Sequence, residues 1–541
     1  MGYAHDYATA IMHRGRVPME PVDFVPDWAD RPRKAKFHPG AETLPLPEPV
    51  HRPSAGPAEG FDLPLLSGLL QDSYGLTGRR LGIQANTDLA ALPHYTQANW
   101  SRGTASGGGL YPVAVHWAAG PRGPLTPGVY HYAPHRHGLR RLLTGDVTGD
   151  IREALGSGAP AQARGAGQYL VLSVKYWQNS FKYNSFSFHA VCMDVGTVLQ
   201  TWRLWARERG LRIAPVIWFD EERIARLLGV DHREEGVFAV VPLEWAGDRT
   251  AGDGDPAVVH RGSAGSPGSP GSPGSANSPV PAAVRHRDLE RSRRVLAFET
   301  LHRIHEATLG RAADRPAPGA LDRAAALAPR GRDPLPLPAP ATAPIGVHAA
   351  LRARRSSFGR FDASRALAPE RLAAVLADCA ATAVGSEAER PEGPGLTSLY
   401  VFVNHVEGLA PGAYAYDPAA RGLRLVVPGP PGPFLQRSYF LSNYNLEQAG
   451  AVIVPTVRTT AVLDAVGERG YRLVGAAVGA VAQTFYTSAA AHGLGAGVAL
   501  GFDTVSHIEE LGLTGTDEAP LLIMLLGHER PRPADFRHAI A

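Results

Sequence analysis

The sequence predicts an α+β protein built as two copies of one mixed helix-and-strand domain joined by a linker. Three observations carry that expectation. Gly196, Gln200 and Thr201 recur as Gly479, Gln483 and Thr484, 283 residues further on. The hairpin PGVYHY from Pro127 returns as PGAYAY from Pro411 at an offset of 284, and Phe219, Asp220 and Gly229 return as Phe502, Asp503 and Gly512 at 283. Between the copies, residues 253–279 form a Gly-Ser-Pro tract that cannot build a core.

Composition sets outer limits. A chain of 541 residues exceeds one ordinary core. A formal charge of +3 gives no electrostatic case for nucleic acid or a membrane surface. Cys192 and Cys379 are the only cysteines, which excludes a disulfide framework and fits a reducing compartment. The N-terminus lacks an apolar signal region and no stretch approaches the length that spans a bilayer, so a cytoplasmic protein is expected.

In chain order, residues 1–60 read as an extended N-terminal arm, with scattered apolar residues among Pro, His and charge. The first domain is expected over 61–245. Leucines at helical spacing in DLPLLSGLLQDSYGL predict a helix ending at Gly75. The loop ASGGGLYP, residues 105–112, lets a backbone pass close to a flat ligand or a phosphate, and the strand VAVHWAA follows it. The PGVYHY hairpin comes next, and then the buried strand QYLVLSVK. Residues 177–203 follow, carrying Lys182, Tyr183 and the start of an apolar helix.

A disordered linker is expected over 246–283, an amphipathic helix over 284–309, and a Pro/Ala-rich link up to 344. The second domain, 345–541, opens with two helices flanking Arg354, Arg355, Ser356 and Ser357, with Arg360 just beyond. Guanidinium forks beside hydroxyls suit a phosphate. Opposite Lys182 and Tyr183 this copy has Ala465 and Val466, so the copies differ at the two residues best able to move a proton. The histidines, His189 and His492 among them, show no metal-ligand spacing, and the glycines do not form a dinucleotide fingerprint.

ARRSSFGRF, ASGGGLYP, PGVYHY, the Lys-Tyr segment, GLGAGVALGFD and LLGHERP together resemble the flavin-dependent nitroreductase superfamily. Within it the sequence is most similar to the azoline dehydrogenases, over about 61–245 and 345–535. The resemblance implies an antiparallel sheet wrapped by helices in each copy, the two copies pairing as an intrachain pseudo-dimer with FMN between them. It implies FMN contacts from Arg354, Arg355, Ser356, Arg360 and Arg530, and Gly501 beside flavin N5, all from the second copy. The first copy would add Ser106, Gly107 and Gly108. Phe358 stands where the family often has a basic residue, a place Arg360 would fill.

The losses fall on one site. Trp218 stands opposite Gly501, the HRPSA region opposite Arg354, and ERPEGPGL replaces the Ser-Gly loop in the second copy. One complete FMN site per chain is therefore expected. The implied reaction oxidises thiazoline or oxazoline rings to thiazoles or oxazoles in a ribosomally made precursor peptide, after a cyclodehydratase or another maturation protein has acted. Dioxygen would reoxidise the flavin. Tyr183 would be the catalytic base and Lys182 the ammonium that stabilises its phenolate, or the two roles are exchanged. The alternatives are an NAD(P)H-dependent nitro or quinone reductase and a flavin-free scaffold in a peptide-modifying complex. The FMN interface can form within one chain, and a higher oligomer is compatible with it.

Overall fold

Apolar strands separated by turns form two antiparallel sheets, one in each half of the chain. The computed structural model describes residues 2–49, 58–84, 94–249, 282–390, 392–531 and 536–540. The HRPSA region and residues 250–281 of the expected linker lie outside the described residues, apart from Ala58 onward and Ala246–Arg249 at their margins.

The first sheet runs Thr43–Pro45, Gly138–Thr144, Gly128–Ala133, Val113–Ala119, Gln168–Lys175, Glu235–Leu243. The second repeats its last five places as Gly422–Pro428, Gly412–Asp417, Thr397–Val403, Ala451–Arg458 and Ile523–Gly527. Leu335–Pro336 and Gly495–Ala499 extend the two edges of this second sheet. Even the hairpin irregularity recurs: the register slips at Val129/Tyr130 in one copy and at Ala413/Tyr414 in the other. A bulge re-aims a strand, so its repetition marks the same backbone built twice. The expected α+β tandem architecture is met. A third, small sheet pairs Gly78–Gln84 with His94–Ser101 and with Phe536–Ala539, so the end of the chain crosses onto the first half.

The helices Ser187–Arg207 and Gly470–Ala491 form the centre of the molecule. They touch at the repeated glycines. A Cβ on Gly196 would sit 2.1 Å from the Ala476 carbonyl, and one on Gly479 would sit 2.0 Å from the Met193 carbonyl, so only glycine lets the two backbones meet. The repeated polar residues serve the same contact. Gln200 Nε2 donates to Thr484 Oγ1 at 2.9 Å, while Thr201 and Thr484 each meet a threonine of their own half, Thr104 at 3.0 Å and Thr382 at 2.9 Å. The expectation that no stretch reaches spanning length is corrected here. Gly470–Ala491 is long and apolar enough to cross a bilayer, yet 94% of its apolar window is buried, because it faces protein on all sides.

Two further expectations need correction. The N-terminal arm is not simply extended: Tyr3–His13 is a helix whose Ala4, Tyr7 and Ile11 are buried at helical spacing. Its Tyr7 hydroxyl donates to the Ser185 carbonyl at 2.8 Å, and the Ala4 N–H donates to Glu468 Oε1 at 3.0 Å, so it bridges the halves. The helix expected over 284–309 forms only at Glu299–Ala307. Upstream, tertiary partners take its polar groups and hold it extended. Asp288 and Glu290 both pair with Lys175 at 2.6 Å, Asp288 accepts from the Phe37 N–H at 2.7 Å, and Asp30 accepts from the N–H groups of Arg293 and Arg294. The charges that looked like a solvated helix face are ion-pair partners.

Candidate active site

The first half contributes a tight loop pinned to the long helix. After Ser106 the chain turns through Gly107–Gly109, with φ of 61° at Gly108 and 63° at Gly109, the left-handed region that favours glycine. Ser106 Oγ donates to Asp194 Oδ2 at 2.7 Å, the Gly107 N–H donates to Oδ1 at 2.8 Å, and Ser106 Oγ accepts from the Tyr111 N–H at 2.8 Å. Burial pushes the Asp194 carboxyl up to about 7, against the pull of those two donors.

Lys182 and Tyr183 end the short helix Trp177–Tyr183 and close on this turn. A Cβ on Gly108 would sit 2.5 Å from Tyr183 Oη and 2.7 Å from Lys182 Nζ, so the glycine makes room for both groups. The Lys182 ammonium lies 4.6 Å from the Tyr183 ring centre.

The second half contributes a cationic cleft. Helix Val347–Ala353 ends at the Arg354 turn, and the next segment runs beside the strand Gly495–Ala499: the Ser357 N–H donates to the Ala496 carbonyl at 2.7 Å, and Ser357 Oγ accepts from the Ala496 N–H at 2.8 Å. A cleft of about 580 Å³ opens there, lined by Ser101, Arg354, Arg355, Ser357, His528 and Arg530 with their neighbours. That volume lies within the range of about 300–1,000 Å³ usual for small-molecule sites. Arg355 is held at 2.5 Å by Glu529. Ser356 lies beneath, its hydroxyl 2.8 Å from the Tyr486 hydroxyl.

Arg354 ties the halves together. It donates to the carbonyls of Arg102, Gly103 and Thr104 at 2.8, 2.9 and 3.3 Å, gripping the start of the loop whose far end meets Lys182 and Tyr183. Gln483 holds the same loop, accepting from the Ala105 N–H at 2.8 Å and donating to the Gly103 carbonyl at 3.2 Å. The expected residues therefore fall into two clusters joined by one loop. Arg354, Arg355 and Arg530 line the cleft; Ser106, Gly107, Gly108, Lys182 and Tyr183 gather at the other end of residues 101–109. Arg360 is not among the residues lining the cleft and donates to the Ser357 carbonyl at 3.1 Å. Phe358 stacks on Tyr444 with ring centres 5.6 Å apart.

Gly501 lies two residues past the strand Gly495–Ala499, whose first residues line the cleft. Among the described residues no acceptor meets its N–H, and a Cβ there would sit 3.2 Å from the Leu441 side chain. The equivalent place in the first half is filled. Trp218 is fully buried, and the Glu387 carboxylate accepts from the Ile217 and Trp218 N–H groups at 2.9 and 2.7 Å. Glu387 belongs to the second copy, and Arg315 stands 3.7 Å from it. One pseudo-symmetric position is thus filled by protein, while at its counterpart the Gly501 N–H meets no acceptor among the described residues.

Asp194, Gln483 and Glu387 are the residues sequence reasoning missed. Gln483 carried a signal, its recurrence with Gln200; the other two had none. His189 is a packing residue, its Nδ1 2.8 Å from the buried Tyr471 hydroxyl.

This fold is nitroreductase-like, present twice in tandem. Residues 351–528 match the Nitroreductase family model. A crystal structure from Anabaena variabilis assigned as a nitroreductase is 22% identical, with a TM-score of 0.70 over 98% of this chain and 100% of that one. A Ralstonia eutropha structure of the same assignment is 20% identical and covers 38% of this chain and 100% of that chain, with a TM-score of 0.28. A chain of the E. coli microcin synthetase McbBCD complex with truncated pro-MccB17 is 18% identical, covering 44% of this chain and 92% of that one, with a TM-score of 0.27. No curated protein matches the chain.

Proposed function

We propose that the chain is an FMN-dependent dehydrogenase that oxidises thiazoline or oxazoline rings of a ribosomally made peptide. One observation carries the reading. Lys182 and Tyr183 converge on Gly108 in the half whose loop is gripped by Arg354 of the other half, whereas the opposite position holds Trp218 and Glu387.

The residues fit FMN by their chemistry. Arg355 and Arg530 at the cleft suit a phosphate, and the Gly501 N–H, which meets no acceptor among the described residues, suits a ring acceptor. Bound flavin would supply the hydride acceptor, with dioxygen as the terminal oxidant.

The ring carbon beside the amide carbonyl is acidified by that carbonyl and by the ring imine. Tyr183 takes its proton as general base, with the Lys182 ammonium 4.6 Å from its ring, a contribution on the order of 10²–10⁴-fold in rate. The second hydrogen leaves as hydride, so the peptide loses two hydrogens per ring. Ser106 and Gly107, anchored on Asp194, keep the turn from collapsing onto the pair.

Mass spectrometry of an azoline peptide incubated with the protein, FMN and oxygen tests the reading. The expected product is lighter by two hydrogens per ring. An unchanged peptide mass, together with rapid bleaching of the flavin by NAD(P)H, would replace the dehydrogenase with a nicotinamide-dependent reductase.

A further inference from the structure

Lys182 stands near two further cations, Lys34 and Arg102, and among the described residues no carboxylate pairs with any of the three. Arg102 is 2% exposed, its guanidinium 4.8 Å from the Tyr74 ring centre and 4.3 Å from that of Tyr111. Its Nε and Nη1 are buried and meet no acceptor. Lys34, from the N-terminal arm, lines the same small cavity as Arg102, Tyr132 and Gln178. Lys182 lies one turn beyond Gln178 on the helix Trp177–Tyr183, outside the cavity lining but near enough for its charge to act on Lys34.

Burial lowers the Lys34 ammonium pKa, and the charges of Arg102, Arg31 and Lys182 add to the effect. The carboxylates nearby are committed elsewhere: Asp194 to Ser106 and Gly107, Glu235 to Lys36 at 2.6 Å, and Asp30 to the Arg293 and Arg294 N–H groups. Among the described residues none of Lys34, Arg102 and Lys182 pairs with an acid. Lys34 is exposed and Lys182 half-buried, so the buried Arg102 guanidinium with its unused donors is what most favours an arriving anion, and the neighbouring like charges add to it.

We propose that Lys34, Arg102 and Lys182 form an anion subsite that takes a carboxylate of the peptide substrate next to the ring. The subsite rests on the peptide reading above. Free space in the cavity is about 10 Å³, room for one water-sized group. One oxygen of a carboxylate fits, and carboxylates are the anions a peptide itself carries. The cavity is also distinct from the cationic cleft, since Ser101 lines the cleft and Arg102 lines the cavity.

The test has two arms on the full-length, flavin-loaded protein, with flavin retention as the folding control for Lys34→Gln. In the first, acetate and inorganic phosphate are titrated against tryptophan fluorescence, because Trp28 lies 5.9 Å from Lys182. Saturable acetate binding, weakened about tenfold in Lys34→Gln, is expected, with phosphate as the comparison anion. In the second, KM is compared for azoline peptides carrying Asp or Asn beside the ring. Wild type should favour Asp by about tenfold, and Lys34→Gln should bring the ratio near one. No saturable acetate effect, an effect unchanged by Lys34→Gln, or equal KM values in wild type would overturn the subsite. Acetate binding with neither peptide oxidised would remove the dehydrogenase reading and the peptide as source of the carboxylate.

Discussion

Lys182 and Tyr183 owe their position to a residue with no side chain. Gly108, at positive φ, lets both polar atoms approach its Cα, and Asp194 holds the turn in place from beneath. Lys182→Ala and Tyr183→Phe should each lower peptide oxidation on the order of 10²–10⁴-fold while flavin absorbance survives desalting. Arg354→Ala should do the reverse of this separation and release the flavin, because it frees three loop carbonyls as well as a wall of the cleft. A Lys182→Ala or Tyr183→Phe variant at wild-type rate would remove the pair from the mechanism. These residues were legible in the sequence because the repeat supplied an internal comparison: Ala465 and Val466 stand opposite the pair. Asp194 and Glu387 were not, since a carboxylate's partners become visible only once distant segments are brought together.

At the scale of elements, the two long helices depend on glycine where they cross. Gly479→Ala would drive a methyl into the Met193 carbonyl, a backbone atom that cannot swing aside. Overpacking of this kind costs about 1–3 kcal/mol or more, so a lowered Tm with weakened flavin retention is expected, read by calorimetry. The helix Ser187–Arg207 also carries a pH dependence. The folded pKa of Asp194 is raised to about 7 by burial, above the unfolded value of about 3.9, so the folded chain keeps a proton that the unfolded chain has lost. Its contribution to stability is fully present below the unfolded pKa and is lost as pH rises through about 7. Urea denaturation should show a smaller fall in stability between about pH 5 and pH 8 in Asp194→Asn than in wild type. The sequence showed the strands, hairpins and crossing helices well, since their apolar periods reflect burial. It misled over 284–298, where the periodic charges serve Lys175 and the arm, and over residues 3–13, where a short apolar stripe at Ala4, Tyr7 and Ile11 lay hidden among polar residues.

The whole molecule behaves as a dimer written into one chain and then made unequal. The N-terminal helix spans from Ser185 to Glu468, and Arg14 and Arg16 reach the Leu500 carbonyl, Asp503 and Glu509, so the arm clasps both halves around the surviving position. On the opposite side a buried Glu221 holds Arg469 and Arg472 at 2.8 and 2.9 Å, locking the halves where no cofactor is expected. Tandem architecture was readable from the constant offset, but the manner in which the second position closes was not. Trp218 alone suggested crowding; the structure adds Glu387, which takes the backbone donors that Gly501 leaves free in the other position. The most direct test is the flavin content of the purified, FMN-saturated protein, measured by absorbance after removal of free cofactor against chain concentration. The expected result is one FMN per chain, lost in Arg354→Ala and unchanged in Glu387→Ala; two FMN per chain, or none, would contradict a single working site formed between the halves.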